Sequence, residues 1–221
     1  MPRLGQAAYL QPMHPLRSQA DYEALRQFLM TALQLPPDTA EALLPGWHPF
    51  TAPRKTILTA AGEREPYLYF VVEGVQRAFY LGERDRQEAT LMFSYAPSFS
   101  GAAEAFLTQQ PSAYFLETLT ASRFLRITHP AFVEQLNHFP LLERRLLFFM
   151  GELFRGLLER QVEMQCFTAE EKFRALLTRS PHILQLAPHK YLASYLGIDP
   201  STFSKLLGSV KVFTKEEDTE S

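Results

Sequence analysis

Between Thr51 and Ile127 Gly or Pro cuts the chain, about every ten residues, into short runs rich in Val, Ile, Phe, Tyr and Thr. The runs read KTILTA, YLYFVVEG, VQRAFYLG, EATLMFSY, YFLETLT and SRFLRIT, with turn signals at Ala61-Gly62, Glu73-Gly74, Gly82-Glu83 and Pro97-Ser98. Short strands joined at this spacing close on one another as an antiparallel sandwich or barrel. After Thr128 the texture changes, and apolar residues recur at helical intervals to the end of the chain.

The flanking segments read as helices. DYEALRQFLMTALQ, residues 21 to 34, has helical spacing up to Pro36-Pro37, and a second short helix follows with Asp38 or Thr39 as its cap. HPAFVEQLNHF is helical up to Pro140, and a longer helix is expected from about Leu141 to Met164. That helix carries two apolar stripes, Leu142, Leu146, Phe149, Leu153 and Leu157 on one and Leu147, Met150, Phe154, Leu158 and Val162 on the other. A surface helix normally shows a single apolar face, so one stripe is expected to pack on the β unit and the other to meet a second copy of the chain, with Leu142, Leu146, Phe149 and Leu153 named as the dimer-helix residues. Thr168 and Glu171 have capping-box spacing at the start of the next helix.

HKYLASYLGIDPSTFSKLLG, His189 to Gly208, sets a glycine and a proline inside helical rhythm. Gly197 suits a left-handed C-terminal cap, Asp199 an N-cap, and Pro200 the first position of a new helix. Two short helices joined by such a turn make a helix-turn-helix. Phe203, Leu206 and Leu207 give the second helix its apolar face, leaving Ser201, Thr202, Ser204 and Lys205 outward for phosphate oxygens and base edges. Net charge over the whole chain is -2, yet from Thr168 to Lys215 Lys172, Arg174, Arg179, Lys190, Lys205, Lys211 and Lys215 face only Glu170, Glu171 and Asp199. A locally basic module fits double-stranded DNA.

The order of a β-rich unit, a long helix and YLASYLGIDPSTFSKLL resembles the Crp/Fnr superfamily of bacterial transcription regulators, over roughly Phe50 to Lys211. KTILTAAGEREPYLYFVVEGVQRAFY is similar to the family's opening strands, and LASYLGI resembles especially the divergent branch common in Bacteroidetes. The resemblance implies an α+β chain. Residues 1–140 would hold the N-terminal helices and a double-stranded β-helix (jelly-roll) sensor, 141–166 the dimerisation helix, and 167–221 a winged helix-turn-helix domain with an acidic tail. It implies a homodimer whose recognition-helix contacts with DNA carry over onto Pro200, Ser201, Thr202, Ser204 and Lys205; Lys190 and Lys211 of the basic module are expected to add phosphate contacts, and the chain is expected to be cytoplasmic. A small-molecule effector and RNA polymerase are the further partners it allows. Family members often carry arginine and glutamate where this chain has Pro200 and Ser201, and a basic pair where it has Leu207-Gly208. Arginine is the commonest reader of guanine, worth about 1–3 kcal/mol of discrimination per bidentate contact, so the family's base preference does not transfer.

In cyclic-nucleotide-binding members a glycine turn, a glutamate and an arginine hold the ligand, because a buried phosphodiester must be paired. The corresponding SGAAEAFLTQQPSAYF keeps Gly101, but Ala102 stands at the glutamate position and Pro111 at the arginine's, leaving Ser112 and Ala113. Cyclic AMP is therefore not expected in the usual manner, and the pocket either takes another ligand or is filled by side chains. Glu104 is expected to have no cation near it, Arg77 and Arg123 to be solvated strand-face charges, and Trp47 and Phe50 to be packing residues.

No enzyme is expected. His14, His48, His129, His138, His182 and His189 all lie outside Thr51–Ile127, which argues against a histidine metal site in a barrel. There is no Gly-x-Ser-x-Gly elbow and no phosphate-binding glycine loop. Cys166 is the only cysteine, excluding an intrachain disulfide, and is expected to be a buried thiol. GERDRQEA reads as an exposed hairpin tip. No cofactor, metal or membrane span is expected, nor a secretory signal in the opening residues. A non-enzymatic ligand- or protein-binding module with a degenerate helix-turn-helix is the competing expectation.

Overall fold

The structure is a computed structural model that describes residues 15–82 and 88–217, with side chains from Gln19 to Ser209. The hairpin tip expected at Glu83–Gln87 lies outside the described residues. The chain divides into two compact units, Met1–Gln76 with Ser94–Leu147, and Arg77–Phe93 with Phe148–Ser221.

The first unit opens with α1 (Pro15–Thr31), α2 (Pro37–Leu43) and a tight helical turn at Leu44–Gly46. Pro36, not Asp38 or Thr39, precedes the first turn of α2, which has no side-chain cap. Proline supplies the entry because its fixed backbone angle is already close to the one a helix start requires.

The strands are β1 (His48–Ala52), β2 (Ile57–Thr59), β3 (Tyr67–Glu73), β4 (Val75–Leu81), β5 (Glu88–Tyr95), β6 (Ser98–Ser100), β7 (Phe115–Thr118) and β8 (Ser122–Thr128). One sheet has the order β1-β8-β3-β6 and the other β2-β7-β4-β5, the strand order of a jelly roll. Gly62 and Gly74 take positive φ at the expected turns. At Gly74 a side chain is doubly excluded, since a Cβ would lie 2.3 Å from the Ser122 hydroxyl.

Alternation along β3 sorts the core onto two faces. Phe70 meets Phe28 of α1, with ring centroids 5.3 Å apart, while Phe28 and Trp47 both pack on Phe99. Trp47 packs between the N-terminal helices and the strands, as expected, whereas Phe50, expected there too, lies on the opposite face of the sheet. On the other face Tyr69, Val71, Phe124 and Ala52 form a buried cluster against Phe50, Leu58 and Tyr67. Arg123 is half-buried rather than solvated, because Asp21 of α1 and Glu73 both pair with it. The unit also holds α3 (Ala103–Thr108) and α4 (His129–His138), whose first turn is capped by Thr128.

The second unit holds most of β4 and β5, the larger part of α5 (Pro140–Cys166), then α6 (Ala169–Arg179), α7 (Ile183–Leu186), α8 (His189–Leu196) and α9 (Pro200–Glu217). Both bonds of the Thr168–Glu171 capping box are made. Cys166 is exposed, because the last turn of α5 turns that side outward. The expected wing is corrected here: among the described residues every element after β8 is helical, and α9 runs on through Gly208 to Glu217. SVKVFTK is rich in β-branched residues but contains no turn residue that could fold a hairpin.

Candidate nucleic-acid interface and ligand cassette

The helix-turn-helix is present in the second unit. α8 ends at Gly197, whose φ of 63° and ψ of 37° make the left-handed cap. A Cβ there would lie 2.6 Å from the Met164 methyl group, the movable end of a flexible side chain, so it is the left-handed conformation that favours glycine. Phe173 and Leu176 of α6, Leu192, Ala193 and Leu196 of α8, and Phe203 of α9 form the core, with Phe173 and Phe203 edge to face at 5.4 Å. Leu206 and Leu207 are half-buried, continuing that face.

Burying Phe203 turns Pro200, Ser201, Ser204 and Lys205 to solvent, with Thr202 half-exposed and Lys190 exposed on α8. The Ser204 hydroxyl donates to the Pro200 carbonyl at 2.9 Å, which leaves its oxygen lone pairs, not its proton, for an outside group. Lys211 lies on α9, and its side chain is outside the described ones.

A feature missed in the sequence lies on the other side of α8. Arg77 of β4 is 3% exposed, contrary to the solvated role expected for it. Its guanidinium carbon lies over the rings of Phe79, at 4.1 Å, and Tyr191, at 3.7 Å, and it pairs with Glu88 and donates to Thr90. The Thr90 amide donates to the Ser194 hydroxyl at 2.9 Å, and Phe93 meets Tyr195 edge to face. The β4–β5 ladder is thus seated on α8 through Tyr191, Ser194 and Tyr195. The spacing of those residues along α8 was the available signal, but nothing local named their partners.

Along α5 the dimer-helix expectation is corrected at Leu142, which is buried within the chain's own core, while Leu146 and Phe149 are half-buried and Leu153 is exposed. Leu147, Phe148, Phe154, Leu157, Leu158 and Val162 are all more than half exposed. This leaves a long apolar face without cover.

In the first unit the cassette is internally bonded. Gly101 has φ 138°, Ala102 is buried at the entry of α3, and Ala113 is exposed. The Ser112 hydroxyl donates to Glu104 at 2.9 Å, and the Ser112 backbone exchanges bonds with Gly62 and Glu63. Ser112 is therefore occupied by this chain's own carboxylate. Close by, the Glu65 carboxylate is fully buried, accepting from the Tyr67 amide at 2.9 Å and from the Thr59 hydroxyl. Burial pushes its pKa up to about 7, with Arg126 pulling it down and Glu104 pushing it up. The expectation that no cation lies near the cassette is corrected by Arg126 of β8, whose charge is felt at Glu65 and Tyr69. Among the described residues, no group of three or more His, Cys, Asp or Glu is placed to hold a metal, and no helix is long and apolar enough to cross a membrane.

No family model matches the chain, and no curated protein matches it. Solved structures do. FixK2 from Bradyrhizobium japonicum is 16% identical at a TM-score of 0.66, covering 76% of this chain and 86% of its own. The catabolite activator protein of Thermus thermophilus is 20% identical at a TM-score of 0.53, covering 83% and 88%. The c-di-GMP-responsive global regulator CLP of Xanthomonas campestris is 18% identical at 0.59, covering 81% and 93%. At these identities the likeness establishes the fold.

Proposed function

We propose that this chain is a cytoplasmic, homodimeric DNA-binding transcription regulator of the Crp/Fnr type, with a sensor that does not take cyclic AMP in the family's usual manner. The observation that carries the reading is the helix-turn-helix. Phe203 is fully buried and Gly197 closes α8, so Pro200, Ser201, Thr202, Ser204 and Lys205 form one outward face at the start of α9. The fold shared with the catabolite activator protein and with CLP, the latter described as a global regulator, supports placing that face on DNA.

Two copies joined along α5 would present two α9 faces to half-sites about 34–36 Å apart. Without a wing, phosphate contacts fall to α8 and α9, with Lys190, Lys205 and Lys211 supplying the charge. RNA polymerase is the natural further partner if the regulator activates. The sensor argument is one of donors: the Ser112 hydroxyl is bonded to Glu104 and Pro111 stands at the arginine position, so a cyclic phosphate would find neither of those donors in the cassette.

Selection from a random double-stranded DNA pool tests the reading. Retained sequences should be two-fold symmetric, binding should weaken steeply with salt, and Lys205→Glu should abolish retention while the protein stays folded. No retention by the unaltered chain at low salt would sink it.

A further inference from the structure

The pairing registers place four side chains in one row across the sheet. His48 of β1 stands opposite Arg126 of β8, Arg126 opposite Tyr69 of β3, and Tyr69 opposite Ser100 of β6. Side chains opposite one another across an antiparallel pair share a face, so all four lie on the face that carries Val71, Phe124 and Ala52. The row is graded in exposure: Ser100 and Tyr69 are buried, Arg126 is half-buried and His48 is exposed. It is a polar line crossing all four strands, from exposed His48 on one edge strand to buried Ser100 on the other.

Two members of the row have bonding capacity left over. The Ser100 hydroxyl is buried with no hydrogen-bond partner, an expensive state for a polar group. Arg126 lies over Phe50 and Tyr67, its guanidinium carbon 4.1 Å from each ring centroid. It stands opposite Tyr69 in the register, and among the described residues no carboxylate comes within ion-pair distance of it. Glu65, the acid whose charge it feels, spends its two oxygens on Thr59 and Tyr67.

A cation whose faces are covered by rings offers its N–H edge, and that edge matches the two in-plane oxygens of a carboxylate. We propose that this face of β1-β8-β3-β6 is a binding site for a small organic carboxylate, held in the plane of the Arg126 guanidinium, with the Ser100 hydroxyl as a second contact. Ser100 and Arg126 stand two strand spacings apart, about 9.5 Å between backbones. That span selects an acid carrying a second hydrogen-bonding group rather than a bare carboxylate. The bound acid would supply what the structure leaves open, an anion for Arg126 and a partner for Ser100. A dianionic phosphate is disfavoured relative to a monoanionic carboxylate, because the Glu104 charge, felt at Glu65 along with that of Arg126, acts on twice the negative charge. As the effector site of the regulator proposed above, the assignment rests on that reading for its purpose. Its chemistry stands independently.

The experiment is calorimetric titration of the full chain with 4-hydroxybenzoate, benzoate and inorganic phosphate at neutral pH. 4-Hydroxybenzoate should bind saturably and more tightly than benzoate, with phosphate weaker than both. Arg126→Met should weaken 4-hydroxybenzoate about ten-fold or more, and Arg126→Lys should recover little, since the fork is lost. Ser100→Ala should weaken 4-hydroxybenzoate about three-fold, leave benzoate unchanged and not lower the melting temperature, because the hydroxyl it removes is unpaired. That pattern separates a ligand contact from a structural one. No saturable binding of either acid, or undiminished binding by folded Arg126→Met, overturns the proposal. Loss of DNA retention alone overturns the regulator and leaves this site standing.

Discussion

The Arg77 guanidinium carbon sits 3.7 Å from the centroid of the Tyr191 ring, which joins β4 to the first helix of the helix-turn-helix by a buried cation–π contact. Removing one partner separates packing from electrostatics. Tyr191→Leu keeps an apolar side chain but removes the ring quadrupole, and should cost about 1–2 kcal/mol in urea unfolding. Arg77→Met also releases Glu88, which is partly exposed and can find water. A double-mutant cycle should therefore give a coupling of about 0.5–2 kcal/mol between Arg77 and Tyr191. Additive losses would mean that the two residues stabilise α8 separately.

Gly208 occupies the interior of α9, and a Cβ built there meets nothing within 4 Å. Its φ is not positive, so alanine is compatible with the backbone. Gly208→Ala should stabilise the protein by roughly 0.5–1 kcal/mol and raise the helical circular dichroism signal. A fall in stability would show that α9 does not continue through this residue in solution.

The uncovered face of α5 predicts an oligomeric transition under mutation. Phe154 is 63% exposed and Leu158 is 53% exposed in a single chain. Phe154→Glu with Leu158→Glu should leave the fold intact, as neither side chain is part of the core, yet move the sedimentation coefficient from that of a dimer to that of a monomer. A two-fold symmetric DNA site would then lose affinity far more than a half-site. If the doubly substituted chain sediments like the unaltered one, α5 is not the dimer seam.

What the sequence made legible were features decided within a few residues. The Thr168–Glu171 box, the Gly197 cap and the buried Phe203 are local, because spacing on one helix fixes each of them. The strand runs were equally readable, since Gly74 and Gly62 mark turns by backbone conformation. Arg77 and Arg126 were not. Each is covered by a ring far away in the chain, Tyr191 for Arg77 and Phe50 and Tyr67 for Arg126, and an arginine in a strand reads as solvated until its aromatic cover is known. The wing failed for another reason. It came with the resemblance, while the residues that had to form it, SVKVFTK, lack a turn and extend the helix anchored by Phe203.

Glu65 makes stability depend on pH in an unusual direction. Its carboxyl is fully buried, and burial pushes its pKa up from the ordinary 4.5 to about 7, so between those pH values the folded chain holds a proton that the unfolded chain has released. With the folded state binding more protons, stability must fall as pH rises. The loss begins near pH 4.5, amounts to roughly 3 kcal/mol by pH 7 and is level above it. The groups facing the carboxyl are Arg126, which opposes the shift, and Glu104, which adds to it, with Thr59 and the Tyr67 amide bonding its oxygens. Glu65→Gln retains one oxygen acceptor and offers an amide to the Thr59 oxygen, so it should remove the slope without breaking the packing. In urea titrations the variant should be the more stable protein at pH 8 and show no advantage at pH 4.5. Equal slopes for the two proteins between pH 5 and 7 would assign that dependence to other groups and leave the buried carboxyl ionised throughout.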